Sequence, residues 1–134
     1  MTPVPVTLVA AAAAILVNLW LGWRIAQLRG ELKVSVGDGG HEPLLRRMRA
    51  QSNFIEQAPF ALILIGALEL SGASRWALGG IAALFILARI AHGIGMEGGE
   101  RQTLRMYGMM GTMLANAALV IWALVCAAEV CLGR

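Results

Sequence analysis

Arg46, Arg49, Asn53 and Glu56 follow one another at spacings of three, four and three residues, just ahead of a long apolar run. On a helix turning 100° per residue they fall within an arc of roughly 80°. Two guanidiniums, an amide and a carboxylate on one face can hold a small zwitterion: the cations take its carboxylates and the carboxylate takes its ammonium. Lipid headgroups account for Arg46 and Arg47 and partly for Arg49, whose long stems snorkel toward phosphate. They do not account for Asn53 and Glu56, which continue the same face to a depth where hydrocarbon offers no partner. The face is therefore read as a binding site.

Further groups bear on that site. Arg89 and His92 are three apart near the end of another apolar run, with Met96 four further on, again on one helical face. An arginine at membrane depth pairs with a carboxylate as a rule, and Glu56 is the expected partner, so this stripe is read as half structural. Arg101 and Arg105 lie one turn apart at the next helix start. Topology accounts for one of them, and spacing does not choose which. Glu69 and Glu129 sit near the far ends of their runs and are read as interfacial. Cys126 and Cys131 fall on different faces of one helix and are read as buried, inert thiols. There is no Cys/His metal spacing, no phosphate-binding glycine loop and no Ser-His-Asp set with recognisable context.

Positioning these groups falls to membrane helices. The 134 residues are 58% hydrophobic and only 14% charged, against about 25% charged in soluble domains. Mean hydropathy is +0.70. At about 20 residues per crossing, the apolar length provides four spans and little else, so residues 1–134 form a single domain. Expected spans are residues 6–28, a helix from residues 42–44 that enters the membrane near Asn53 and runs to 70, then 75–95, and 101–132. A glycine-rich loop fills residues 30–43, and Pro59 interrupts the second span and tends to kink it. No cleavable signal is evident at the N-terminus.

Of the eleven cations, Arg24, Arg29, Lys33, Arg46, Arg47 and Arg49 lie between the first two apolar runs, and the third connection adds Arg101 and Arg105. By the positive-inside rule both termini then face away from the cytoplasm and the charged site opens toward it. The net charge of +3 is juxtamembrane and not interleaved with aromatic residues, so no nucleic-acid partner is implied.

At these residues the sequence resembles the MAPEG family, membrane-associated proteins in eicosanoid and glutathione metabolism. The family pattern Arg-Ala-(His/Gln)-x-Asn-x-x-Glu reads here Arg49-Ala50-Gln51-Ser52-Asn53-Phe54-Ile55-Glu56, followed by the usual proline-containing apolar run. A second element, Arg-x-x-His ending the third span, matches Arg89-Ile90-Ala91-His92. Span count and loop order agree across essentially the whole chain. The resemblance implies an all-α, left-handed four-helix transmembrane bundle that assembles as a homotrimer, and the alanine- and glycine-rich composition with spare loops points to the bacterial inner membrane. It further implies glutathione as co-substrate, held in clefts between subunits by Arg49, Asn53 and Glu56, with Gln51 in support and Arg29 as a carboxylate contact. Arg89 and His92 would complete the cleft wall. Arg105 stands where relatives carry the catalytic arginine that stabilises the glutathione thiolate. Met96 stands where several active relatives have a tyrosine.

Three readings of function follow. The first is a glutathione-dependent transferase or peroxidase acting on lipophilic electrophiles or lipid hydroperoxides delivered by membrane lipid. The second is a glutathione-binding protein without catalysis, for which Met96 speaks. The third is a four-span multidrug exporter using Glu56 as its intramembrane carboxylate. That last reading leaves Arg46, Arg49, Arg89 and Arg105 unexplained, because cations repel cationic cargo.

Overall fold

In the computed structural model, which describes residues 3–133, four long helices account for most of the chain. They are α1 (Pro5–Leu32), α2 (Glu42–Leu70), α3 (Arg75–Gly95) and α4 (Gln102–Cys131), with a 3-10 turn at Gly99–Arg101 leading into α4. Each is long and apolar enough to cross a membrane. At 1.5 Å per residue, the 28 residues of α1 and 29 of α2 reach roughly 40 Å, against about 30 Å of bilayer hydrocarbon. Both helices therefore overhang, and the overhang carries the arginines.

Boundaries agree with hydropathy except at the end of α1. The helix continues through Gly30 to Leu32 and stops where Lys33 turns left-handed at φ 56°, its N–H donating back to the Arg29 carbonyl. Arg29 is thus a helical residue. Pro43 sits in the first turn of α2, where its missing N–H costs nothing. Pro59 lies inside α2, and helix continues through it. Its ring is exposed, away from the bundle core.

The core is a stack of small and branched side chains. Ala10, Ala14, Val17 and Leu21 of α1 meet Ala58, Ala61 and Ile65 of α2 and Leu78, Ala82 and Phe85 of α3. Alanine and glycine at such seams let backbones approach, which is how helices gain packing in a solvent as apolar as themselves. The extreme case is α3 against α4, the most extensive contact in the bundle. A Cβ on Gly108 would strike the His92 and Ala88 backbone, and one on Gly95 would strike the backbone of Arg105. The outward faces are apolar: Leu16, Phe60, Leu87, Met113 and Leu124 are all well exposed. Water would not tolerate so much open hydrocarbon; lipid or neighbouring copies do.

Glu69, read from sequence as interfacial, has a defined task. It is buried, 7% exposed, and its carboxylate accepts the backbone N–H groups of Val6 (2.9 Å) and Thr7 (2.8 Å) and the Thr7 hydroxyl (2.7 Å). α1 has no capping side chain of its own, so the carboxylate near the end of α2 satisfies its first donors and complements its dipole. The cysteines depart from expectation. Cys126 is half-buried and Cys131 exposed, because the last turns of α4 extend past the bundle.

Candidate functional site

At the arginine-rich end, a cleft of about 270 Å³ opens between α2, α3 and α4. From α2 it receives Arg49, Ser52, Asn53 and Glu56; from α3 and the turn beyond, His92 and Met96; from α4, Arg105 and Met109. The one-face reading of α2 thus holds as geometry, since Arg49, Asn53 and Glu56 line one hollow. Arg46 lines a smaller, adjoining hollow of about 120 Å³, shared with Arg105 and Met96. Larger hollows exist elsewhere. One between α1 and α3, of about 510 Å³, is lined almost entirely by hydrocarbon and could hold no ion.

Behind the cleft lies Arg89, only 3% exposed. Its partner is not Glu56, the carboxylate expected from sequence. Arg89 donates to the Asn53 side-chain oxygen at 2.9 Å, and its Nε has no acceptor. Helical spacing places Arg89 and Glu56 on the facing sides of their helices but does not fix the rotation of α3 against α2. In the fold, Asn53 comes first. With its oxygen turned to Arg89, Asn53 keeps its amide N–H groups for another acceptor. A nearly buried guanidinium with only a neutral partner leaves the cleft wall electropositive.

The cleft's own charges are unmatched. Among the described residues, neither Arg49 nor Arg105 forms an ion pair, and neither does Glu56. The other arginines nearby are engaged. Arg46 pairs with Glu42 (2.5 Å), and Arg24, Arg47 and Arg101 all pair with Glu97.

Two expected site residues lie elsewhere. Gln51 is on the opposite side of α2, where its amide donates to Asn18 of α1 at 3.3 Å. Arg29 donates to the Gly37 carbonyl (3.3 Å) and toward the Met48 sulfur (3.8 Å), tying down the first loop. Neither lines the cleft of its own chain. Tyr107, the lone tyrosine, is 60% exposed and does not line it either. Sequence reasoning missed Ser52 and Met109. Ser52 was legible, being three residues from both Arg49 and the Ile55–Glu56 turn on the same side of α2. Met109 stands one turn beyond Arg105 and could have been read the same way.

Four helices long and apolar enough to cross a membrane, with a charged cleft at their arginine-rich end, define the class as an integral membrane protein. Residues 7–125 match the MAPEG family, and the chain belongs to that family. Over 93 residues it is 29% identical to the inner membrane protein YecN of Escherichia coli K12, covering 67% of this chain and 71% of that protein. The same figures hold for YecN of Escherichia coli O6:H1. The chain is thus an integral membrane protein of the bacterial inner-membrane type.

Proposed function

We propose that the cleft binds glutathione and that the protein is a glutathione-dependent membrane enzyme of transferase or peroxidase type. The observation that carries this reading is the set of unmatched charges. Two guanidiniums without carboxylates and one carboxylate without a cation line the same hollow. Glutathione offers two carboxylates, an ammonium and a thiol, which complement that set. Arg49 and the Asn53 amide take carboxylate, Glu56 takes the ammonium, and His92 closes the wall. Arg105 faces the thiol and stabilises its anion, the nucleophilic form, which in free thiols appears only near pH 8.5. The electrophile or hydroperoxide arrives from lipid along the apolar flank of α4, while glutathione enters from the cytoplasm. The protein contributes proximity and charge stabilisation and forms no covalent intermediate.

Arg29 and Gln51 fit this reading through assembly. They face away from their own cleft, so they reach glutathione only if neighbouring copies bring them to the next cleft. A homotrimer, which the family resemblance implies, would have to supply that arrangement, with termini away from the cytoplasm. A second reading, binding without turnover, is favoured by Met96, which lines the cleft and offers no hydroxyl.

Ultraviolet difference spectra of the detergent-purified protein with glutathione test the proposal. A saturable thiolate band at neutral pH, lost in Arg105→Ala but with binding retained, supports activation. Arg49→Ala and Glu56→Gln should each weaken binding about tenfold or more, as loss of a charge-assisted contact does. Wild-type affinity in both variants would sink the site. Tight binding without a thiolate band would favour the non-catalytic reading, and proton-coupled efflux from liposomes without glutathione binding would favour an exporter.

A further inference from the structure

Glu97 belongs to no motif and does not line the cleft, yet more cations converge on it than on any other carboxylate among the described residues. It sits in the turn after α3 and receives guanidiniums from three other elements. These are Arg24 of α1, Arg47 of α2 at 3.0 Å and Arg101 of the 3-10 turn at 2.8 Å. The arginines are themselves cross-tied. Arg24 also donates to the Gly93 carbonyl of α3 at 3.1 Å and lies over the Trp20 ring, 4.6 Å from its centre. Arg47 also donates to the Arg24 carbonyl at 2.7 Å. The Arg24 side chain is only 9% exposed, and Glu97 is its sole carboxylate.

The turn that Glu97 occupies has local backbone hydrogen bonds: Glu97 N–H to the Ile94 carbonyl (3.2 Å), Gly98 N–H to that of Gly95 (3.3 Å) and Arg101 N–H to that of Gly98 (3.3 Å). None of these ties it to α1 or α2. Besides the Glu97 carboxylate, α2 reaches it through a 3.5 Å bond from Arg46 to the Glu97 carbonyl. Gly98 and Gly99 stand at φ 84° and 61°, conformations that give the backbone freedom in the unfolded chain and no side-chain anchor in the folded one. The same turn carries the cleft: Met96 immediately precedes Glu97, and Arg105 packs its backbone on Gly95. We propose that Glu97 is the positioning residue of the cleft, a single carboxylate that clamps the α3–α4 turn to α1 and α2 and so fixes where Met96 and Arg105 stand opposite Arg49.

Removing its charge leaves three guanidiniums facing one another and Arg24 buried without a counter-charge, which drives the turn outward. Burial pushes the Glu97 carboxyl up, but the Arg24 hydrogen bond and the charges of Arg24, Arg47 and Arg101 outweigh it, so its pKa is lowered overall. The clamp is therefore closed at neutral pH. It also engages Arg24, Arg47 and Arg101, as Glu42 engages Arg46, leaving Arg49 and Arg105 as the cleft-lining guanidiniums without an ion pair.

The consequence for catalysis rests on the glutathione reading; the clamp does not. The full chain is purified in detergent as wild type, Glu97→Gln and Glu97→Asp. Without ligand, amide exchange is followed across residues 95–105. With glutathione, affinity and the pH at which the thiolate band develops are measured. In Glu97→Gln, exchange across the turn should quicken about tenfold or more. The bound thiol's ionisation constant should fall about tenfold while affinity changes less, with Glu97→Asp recovering part of both. Wild-type exchange and wild-type thiolate titration in Glu97→Gln would overturn the proposal. Should that variant not fold, Glu97→Asp carries the same comparison with the charge kept and the carboxylate drawn back by one methylene. If the wild type neither binds glutathione nor forms thiolate, the functional reading fails and the exchange data alone still decide the clamp.

Discussion

Replacing Gly108 by alanine tests the packing on which the cleft depends. An added Cβ would lie 2.6 Å from the Ala88 carbonyl oxygen and 2.7 Å from the His92 Cα. Non-bonded atoms of these kinds rest about 3.5–4.0 Å apart, so the clash demands roughly 1 Å of movement. All the atoms met belong to the α3 backbone, and no side chain can rotate out of the way. α4 must therefore lift from α3 as a body, at a cost of about 1–3 kcal/mol, the usual range for overpacking. In a chain of this size that lowers the melting temperature by roughly 4–10 °C. Because Arg105 and Met109 flank Gly108 on α4, the cleft widens on that side and glutathione affinity should fall about tenfold. Gly79→Ala is the control, since a Cβ there meets nothing within 4 Å. It should leave melting unchanged or raise it slightly, as helix propensity favours alanine. Scanning calorimetry in detergent and titration with glutathione read both effects. Gly108→Ala melting and binding like wild type would mean that α3 and α4 do not approach this closely, and the stated placement of Arg105 would fail with it.

Two further outcomes are expected. Glu69→Ala should speed amide exchange at Val6 and Thr7 about tenfold while leaving the cleft end unchanged, because it removes the acceptor of both N–H groups; unaltered exchange there would contradict the cap. As for pH, Glu97 is lowered in the folded chain, so its contribution is fully present above the ordinary carboxylate range and is lost as pH falls through the lower, folded value. The α3–α4 turn should accordingly keep constant protection from pH 8 to about pH 5 and loosen only in stronger acid, and Glu97→Gln should abolish that acid step. Loosening at mildly acidic pH in the wild type would count against the clamp.

Much of this architecture was readable from hydropathy because membrane spans announce themselves by length. All four helices lie where apolar runs place them, and the resemblance to the MAPEG family is borne out by the match over residues 7–125. The α2 face was readable too, because Arg49, Asn53 and Glu56 share one helix and 100° per residue fixes their common side. What failed was relation between helices. The partner of Arg89 depends on how α3 is set against α2, and Asn53 and Glu56 are only three residues, about one turn, apart. Arg24 and Glu97 were invisible for the same reason. Arg24 was counted as one more juxtamembrane cation and Glu97 carried no signal of its own, and only the fold joins positions 73 apart in the chain. Arg29 and Gln51 show a third limit: both came from the family resemblance, and Gln51 stands about 200° around α2 from Arg49, on the α1 side, while Arg29 belongs to α1 and ties down the first loop.

The Glu69 cap has a consequence for how the chain is made. Thr7 and Glu69 are 62 residues apart, and a whole span and loop separate the donors from their acceptor. When α1 enters the bilayer during synthesis, its leading amides have no protein acceptor and stay with interfacial water. Only when the end of α2 emerges does the carboxylate dock onto the start of α1 and shut that water out. The first span is thus completed by the second, and a nascent chain cut between residues 40 and 60 would hold α1 inserted but loosely seated.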